Sequence, residues 1–176
     1  MSNKNLLIFG AGGFGQSVAE IAAQIGNWGN IYFIDDQWPE KKSIGKYTLL
    51  SNFANLPNLN LDILNTEVIL AVGNNVVREN WYKVATDLGL KMTTIIHPKS
   101  IIAPSTQIAP GVCIMGGCVI GSNTSIEKGV ILNLNTVLDH DVVIESFSHL
   151  SLGVIIQSGI CIPRQTYVKA GTVITN

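Results

Sequence analysis

Three histidines occur in the 176-residue chain: His97, His140 and His149. His140 stands in the run Asp139-His140-Asp141. A neutral imidazole has an ordinary pKa near ~6.5, so it accepts a proton close to pH 7. A carboxylate beside it orients the ring and stabilises the cation that forms. By sequence position either Asp139 or Asp141 can serve. This is the arrangement a general base needs. His97 precedes Pro98 and reads as structural. His149, in His149-Leu150-Ser151-Leu152-Gly153, stays open between a ligand contact and plain surface.

The second chemical signal is glycine-rich. Gly10-Ala11-Gly12-Gly13-Phe14-Gly15 matches G-x-G-x-x-G, and Asp35 closes the next apolar run, where such a motif has its acid. Glycines let backbone N–H groups approach a phosphate, and a helix N-terminus adds partial positive charge. A dinucleotide is the obvious ligand, but the sheet that carries the turn is too short for one plus a reducible substrate. A phosphate-bearing ligand is expected there, with an unliganded strand–helix turn as the bland reading.

Two grammars position these groups. In residues 1–95, Leu6-Leu7-Ile8-Phe9, Ile31-Tyr32-Phe33-Ile34 and Val68-Ile69-Leu70-Ala71-Val72 are short apolar runs of buried parallel strands. Helical spacing follows the first through Val18, Ile21, Ala22 and Ile25, with Gly26 as the stop. A second helix is expected over 76–88, where Arg78 reads as a cap or a pair on the helix surface. Gln37 to Thr66 reads as loops and a short helix. The whole is a Rossmann-like α/β half sheet.

From residue 96 the period becomes six. Ile96, Ile102, Ile108 and every sixth residue on to Ile174 are Ile, Leu or Val at all 14 positions. The fourth residue after each is small or β-branched, as at Thr106, Cys118 and Thr136. Neither a helix nor a plain strand repeats at six. A triangular solenoid does, with one inward aliphatic per flat side and small residues at the corners. Cys118 then falls in the core, while Cys113 and Cys161 precede inward positions and should face outward. No cysteine acyl-enzyme is expected. A zinc hydratase on such a scaffold would need three zinc histidines, and His140 and His149 have no third nearby, so no metal is expected.

Composition agrees. Hydrophobic residues make up 47% and charged residues 13%, with net charge -1, pI about 6.3 and mean hydropathy +0.33. That excludes a disordered chain and argues against a nucleic-acid footprint. No run reaches the ~18 apolar residues of a membrane span, and MSNKNLLIFG lacks a signal-peptide layout. Three cysteines without paired spacing point to a reducing compartment, so a cytoplasmic location is expected.

The GAGGFG turn, Asp35-Asp36 after the second strand, A-V-G-N-N-x-x-R after the third, and the hexapeptides together resemble one family over nearly the whole chain. It is the bacterial nucleotide-sugar acetyltransferases of the sialic acid O-acetyltransferase and UDP-4-amino-sugar N-acetyltransferase type. The resemblance implies a nucleotide-sugar-binding domain at 1–95 and an all-β left-handed parallel β-helix acyltransferase domain at 96–176. It implies acetyl-CoA as co-substrate and a homotrimer with active sites between chains. It implies substrate contacts from Gly12, Gly13, Asp35, Asp36, Gly73, Asn74 and Asn75. It places the catalytic base at His140 with Asp141 as its acidic partner, and acetyl-CoA contacts at His149, Gly153 and Ser158. Ser158 stands where the family commonly has glycine, which keeps the backbone amide but adds a side chain beside the thioester. The expected reaction is N-acetylation of a nucleotide-linked 4-amino-4,6-dideoxy sugar, UDP foremost. The alternatives are O-acetylation of a sialic-acid-like sugar and a non-catalytic nucleotide-sugar-binding trimer. The helix is expected to be shorter at its C-terminal end than in relatives, with Arg164 and Lys169 either meeting coenzyme phosphates or solubilising that end.

Overall fold

The computed structural model describes residues 4–175. The chain divides into two compact units. One holds the chain through Val72 together with Asn80–Thr93, and the other holds Gly73–Glu79 together with everything from Thr94.

The first unit is built on one sheet. Its strands are β1 (Asn5–Phe9), β2 (Asn30–Ile34), β3 (Ser43–Ile44), β4 (Tyr47–Ser51), β5 (Thr66–Leu70) and β6 (Lys91–Met92). Their order is β3-β4-β2-β1-β5-β6, and all neighbours are parallel except β3 against β4. The 37–66 stretch therefore differs from the expected loops and short helix. It adds two strands to the sheet edge and two 3-10 turns, Leu56–Asn58 and Ile63–Asn65. Its strand signal is weak because Tyr47–Ser51 is polar at Thr48 and Ser51, which pair with the β2 backbone rather than showing a clear apolar run. Helix α1 (Gly13–Ile25) ends on Gly26 in the left-handed region, whose N–H bonds to the Ala22 carbonyl. Leu7, Phe9, Ile34, Val68 and Leu70 pack against Ala85 and Leu90 in the core.

The second unit is a left-handed parallel β-helix. Fourteen two-residue strands run from Ile95–Ile96 to Val173–Ile174 and stack into three parallel sheets. Each strand pairs with the one three hexapeptides further along, as in Val119↔Val137 and Ile120↔Leu138. In each strand the second residue points inward; Ile114, Ile120, Leu132, Leu138, Ile144 and Leu150 belong to one buried cluster. The first residue points outward, and there the three faces differ. On the first face Ile95, Cys113, Ile131 and His149 are buried. On the second face Ile101, Val119, Ile155 and Val173 are exposed by 40% or more. On the third face the outward residues are Gln107, Ser125, Val143 and Cys161.

The expectation that Cys113 faces outward is right in direction and wrong in exposure, because its face is covered. Burial pushes the Cys113 thiol up to about 12, with Cys118 adding to the rise and Arg78 opposing it. Corners turn on stacked left-handed residues: Gly117, Asn135, Gly153 and Gly171 after the first face, and Asn123, Asp141 and Gly159 after the second. No helix among the described residues is long and apolar enough to cross a membrane.

Candidate active site

In the first unit, the glycine turn joins β1 to α1. Gly10 has φ of 101°, and a Cβ there would lie 2.7 Å from the Ala71 carbonyl oxygen. Gly15 is equally constrained, since a Cβ there would collide with the Gly10 carbonyl oxygen. These two let helix α1 sit against the strand ends. Gly12 and Gly13 are exposed, with open space where a Cβ would be. The Asp35 carboxylate accepts the Ala11 N–H at 2.7 Å and both Gln37 donors at 3.0 Å. Burial alone would raise its pKa, but these hydrogen bonds outweigh it and hold the carboxyl below its ordinary range. Asp35 therefore orders the turn, while Asp36 stays exposed.

In the second unit, His140 and Asp141 occupy the corner between the second and third faces. His140 Nδ1 lies 2.6 Å from Asp141 Oδ2. The Asp139 carboxylate instead accepts the His140 backbone N–H at 2.9 Å. So the two flanking acids divide the work: Asp141 meets the ring and Asp139 the backbone. Asp141, then Asp139, push the imidazole pKa above its ordinary value. The pair is exposed, each side chain at 55%. Ser158 lies one coil along from His140, and the Gly159 N–H bonds to the His140 carbonyl at 3.1 Å. A cleft of about 480 Å³ runs along the exposed second face, lined by Val119, Val137, Ile155 and Gln157, and reaches Asp139.

His149 is elsewhere. It stands on the first face, a full side of the prism beyond the His140 corner. It is only 8% exposed, so the plain-surface reading fails. Its Nδ1 lies 3.3 Å from the Gly73 carbonyl oxygen, and its ring meets Tyr167 edge-on at 5.2 Å. Burial pushes its pKa down, the Gly73 bond opposes that, and the Arg78 charge adds to the fall. Gly153 turns the corner between the first and second faces, with φ of 66°. Within one chain, then, His140, Asp141 and Ser158 share a corner, His149 joins Gly73, and Gly153 lies at a third place.

The Gly73–Asn75 turn opens helix α2 (Asn75–Asp87). Asn74 Oδ1 accepts the Val77 N–H at 3.1 Å and caps the helix. Both ends of the Asn75 amide are engaged within the unit: Nδ2 donates to the Gln165 carbonyl at 2.7 Å and Oδ1 accepts from Arg78 at 2.8 Å. The expected surface role of Arg78 is wrong. Its side chain is fully buried, because its guanidinium reaches carbonyl oxygens of the solenoid corners rather than water. Arg164 pairs with Glu79, so its side chain is spoken for within the unit. Sequence reasoning also missed Gly121, where a Cβ would lie 2.8 Å from the His140 backbone nitrogen. The coil-to-coil register, stepped back from the His140 corner, was the signal that pointed to it. Among the described residues no group of three His, Cys, Asp or Glu side chains converges as a metal site.

A small nucleotide-fold sheet followed by a left-handed β-helix defines a hexapeptide-repeat transferase. Residues 5–85 match the family model described as the PglD N-terminal domain. The acetyltransferase domain of PglB from Neisseria gonorrhoeae FA1090 is 31% identical, with a TM-score of 0.83 over 97% of this chain and 88% of that one. The same domain in complex with acetyl coenzyme A gives a TM-score of 0.79 at 31% identity, over 97% and 87% of the two chains. PerB from Caulobacter crescentus, solved in complex with CoA and GDP-perosamine, is 23% identical with a TM-score of 0.83 over 97% and 88%, a likeness of fold. The chain belongs to the hexapeptide-repeat acetyltransferases, the family of the PglB acetyltransferase domain.

Proposed function

We propose that this chain moves the acetyl group of acetyl-CoA to the amine of a nucleotide-linked 4-amino-4,6-dideoxy sugar, with UDP as the nucleotide and His140 as the base. One observation carries the reading: an exposed imidazole, oriented by Asp141, one residue on from Asp139, which an apolar cleft reaches. Asp141 engages Nδ1, which leaves Nε2 to accept a proton. The sugar nitrogen attacks the thioester carbon and passes its proton to His140 Nε2. The C–S bond then breaks, and the coenzyme thiolate leaves and takes up a proton. A backbone N–H at Ser158 suits the oxyanion that forms between these steps.

The acceptor side draws on the other residues. Ligands of open α/β sheets bind outside the C-terminal ends of the strands where the order reverses, here after β1 and β5. Gly12, Gly13 and the N-terminus of α1 suit a diphosphate. Asp36 suits a ribose or base donor, with Asp35 setting the turn. Gly73, Asn74 and Asn75 follow β5 in the chain and suit further contacts to the acceptor. Gly153 and the apolar cleft suit the coenzyme arm. The bare aliphatic strip of the second face supports a homotrimer in which one chain completes the site of another.

The test mixes the protein with acetyl-CoA and UDP-, dTDP- or GDP-linked 4-amino sugars and follows thiol release. UDP is expected to give the fastest turnover, with an amide product by mass spectrometry. An ester product would instead show O-acetylation. Absence of turnover with every acceptor, in a sample that binds coenzyme A, would overturn the proposal.

A further inference from the structure

The first turn of helix α2 carries a fully buried arginine. A guanidinium is costly to bury unless oxygens surround it. Arg78 Nε donates to the Gly129 carbonyl at 2.7 Å. Its Nη2 donates to the Phe147 carbonyl at 2.6 Å, to Asn75 Oδ1 at 2.8 Å and to the Ser148 carbonyl at 3.3 Å. Its Nη1 reaches the Gly73 carbonyl at 3.3 Å, the same oxygen that His149 Nδ1 approaches at 3.3 Å.

The receiving corner departs from its two counterparts. Left-handed positions there run Gly111, Gly129, Phe147, Gln165, whereas the other two columns hold only Gly, Asn and Asp at theirs. Left-handed backbone is sparsely populated for a bulky side chain such as Phe. The Phe147 ring is accommodated because Gly129 lacks a Cβ, which would collide with it. The Phe147 carbonyl is then turned to Arg78. One coil further, the Gln165 carbonyl accepts from Asn75, and the Gln165 side chain donates to Glu79. Three consecutive coils thus grip one helical turn.

We propose that Arg78 is a positioning residue for the sugar-acceptor side: by bonding the carbonyls of Gly73, Gly129 and Phe147 together, it fixes the Gly73–Asn75 turn on the solenoid and aims the His149 imidazole. The kinetic part rests on the nucleotide-sugar reading above; the spectroscopic part does not. The groups facing His149 include the Arg78 cation, the Tyr167 ring and the Gly73 carbonyl. A nearby Arg78 cation also disfavours the His149 cation, so its removal raises the His149 pKa.

The experiment compares wild type with Arg78→Met and Arg78→Lys, using nitrogen-detected NMR of the histidine rings without substrate, then steady-state kinetics. In the wild type, His149 is expected as the Nδ1–H tautomer. Arg78→Met is expected to titrate His149 at higher pH. It is also expected to raise KM for the nucleotide sugar about tenfold. Arg78→Lys keeps the charge without the fork, so it is expected to restore the titration but not KM. Should Arg78→Met fail to fold, the lysine variant decides through KM and the tautomer. An unchanged His149 tautomer and pKa in a folded Arg78→Met variant would overturn the proposal even if no acceptor sugar is turned over. So would an unchanged nucleotide-sugar KM in either folded variant.

Discussion

His140 and Asp141 are sequence neighbours whose side chains meet, Nδ1 to Oδ2, at 2.6 Å. Adjacent residues on a strand point to opposite faces and cannot do this. The left-handed backbone of Asp141, φ 59°, folds its carboxylate back to the ring. Asn123, at the same corner of the preceding coil and also left-handed, bonds the same carboxylate. The corner is therefore what turns an Asp-His-Asp string into an oriented imidazole, as the proposed role of base needs.

His140→Ala should cost about 10²- to 10⁴-fold in kcat while nucleotide binding persists. In the proposed role His140 works neutral, and Asp141 raises its pKa above the ordinary histidine value. Activity should therefore rise as pH climbs through that raised pKa. Asp141→Asn tolerates the left-handed backbone and removes the main cause of the shift. It should lower kcat and move the acidic limb of the kcat/KM profile to lower pH. A limb that stays in place would show that the pair does not set the titration.

Gly121 lies one coil below the His140 corner. A Cβ there would stand 2.7 Å from the Asp139 carbonyl carbon and 2.8 Å from the His140 nitrogen. Both are backbone atoms, so no side chain can swing aside. Gly121→Ala should push the His140 corner outward, cost about 1–3 kcal/mol of stability and lower kcat about tenfold or more. The acceptor KM should stay within about twofold. Calorimetric unfolding and initial rates check the two parts separately, and a fully active, equally stable variant would refute the displacement.

The solenoid was legible because a six-residue period has one structural meaning, and the inward column from Ile114 to Leu150 follows it. His140 was legible because its flanking acids are local. What the string hides is stacking. Gly129, Phe147 and Gln165 become one socket only when successive coils stack in register, and Arg78 looks like a surface helix residue until that socket is built. His149 looks outward, and it is, yet its face is covered. Strands β3 and β4 escaped notice because β3 is only two residues long and β4 is polar at Thr48 and Ser51.

Glu67 gathers three donors at the sheet: Lys91 at 2.9 Å, Lys4 at 3.1 Å and Trp28 Nε1 at 3.0 Å. Burial alone would raise its pKa, but these partners take it down to about 2. A depressed carboxylate adds stability above its unfolded pKa and loses it as pH falls. The loss should run from about pH 4.5 down to about pH 2. Because Lys4 and Lys91 are exposed, the contribution is about 1–2 kcal/mol rather than the full linkage value. Glu67→Gln should lower Tm at pH 7 and flatten the acid limb of a Tm-against-pH plot; an identical acid limb would remove Glu67 from the account.

Ile101, Val119, Ile155 and Val173 form a ladder of outward aliphatics on the second face, exposed by 68%, 40%, 43% and 59%. The first face buries its outward residues from Ile95 to His149 and exposes only Tyr167, and the third presents Gln107, Ser125 and Cys161, so the three faces are not equivalent. Continuous aliphatic surface of this kind is sustained in water when another copy covers it. The cleft along it ends at Asp139, next to the proposed base His140, which is why the proposed homotrimer would complete the site there. Ile155→Glu places a carboxylate in the middle of the ladder without touching the inward core. Light scattering behind size exclusion should give about three times 18.9 kDa for the wild type and 18.9 kDa for the variant. Circular dichroism should stay unchanged, and kcat should fall at least tenfold if the partner copy supplies part of the cleft. A wild-type monomer with full activity would refute the shared site, and a trimeric, active Ile155→Glu would move the interface to another face.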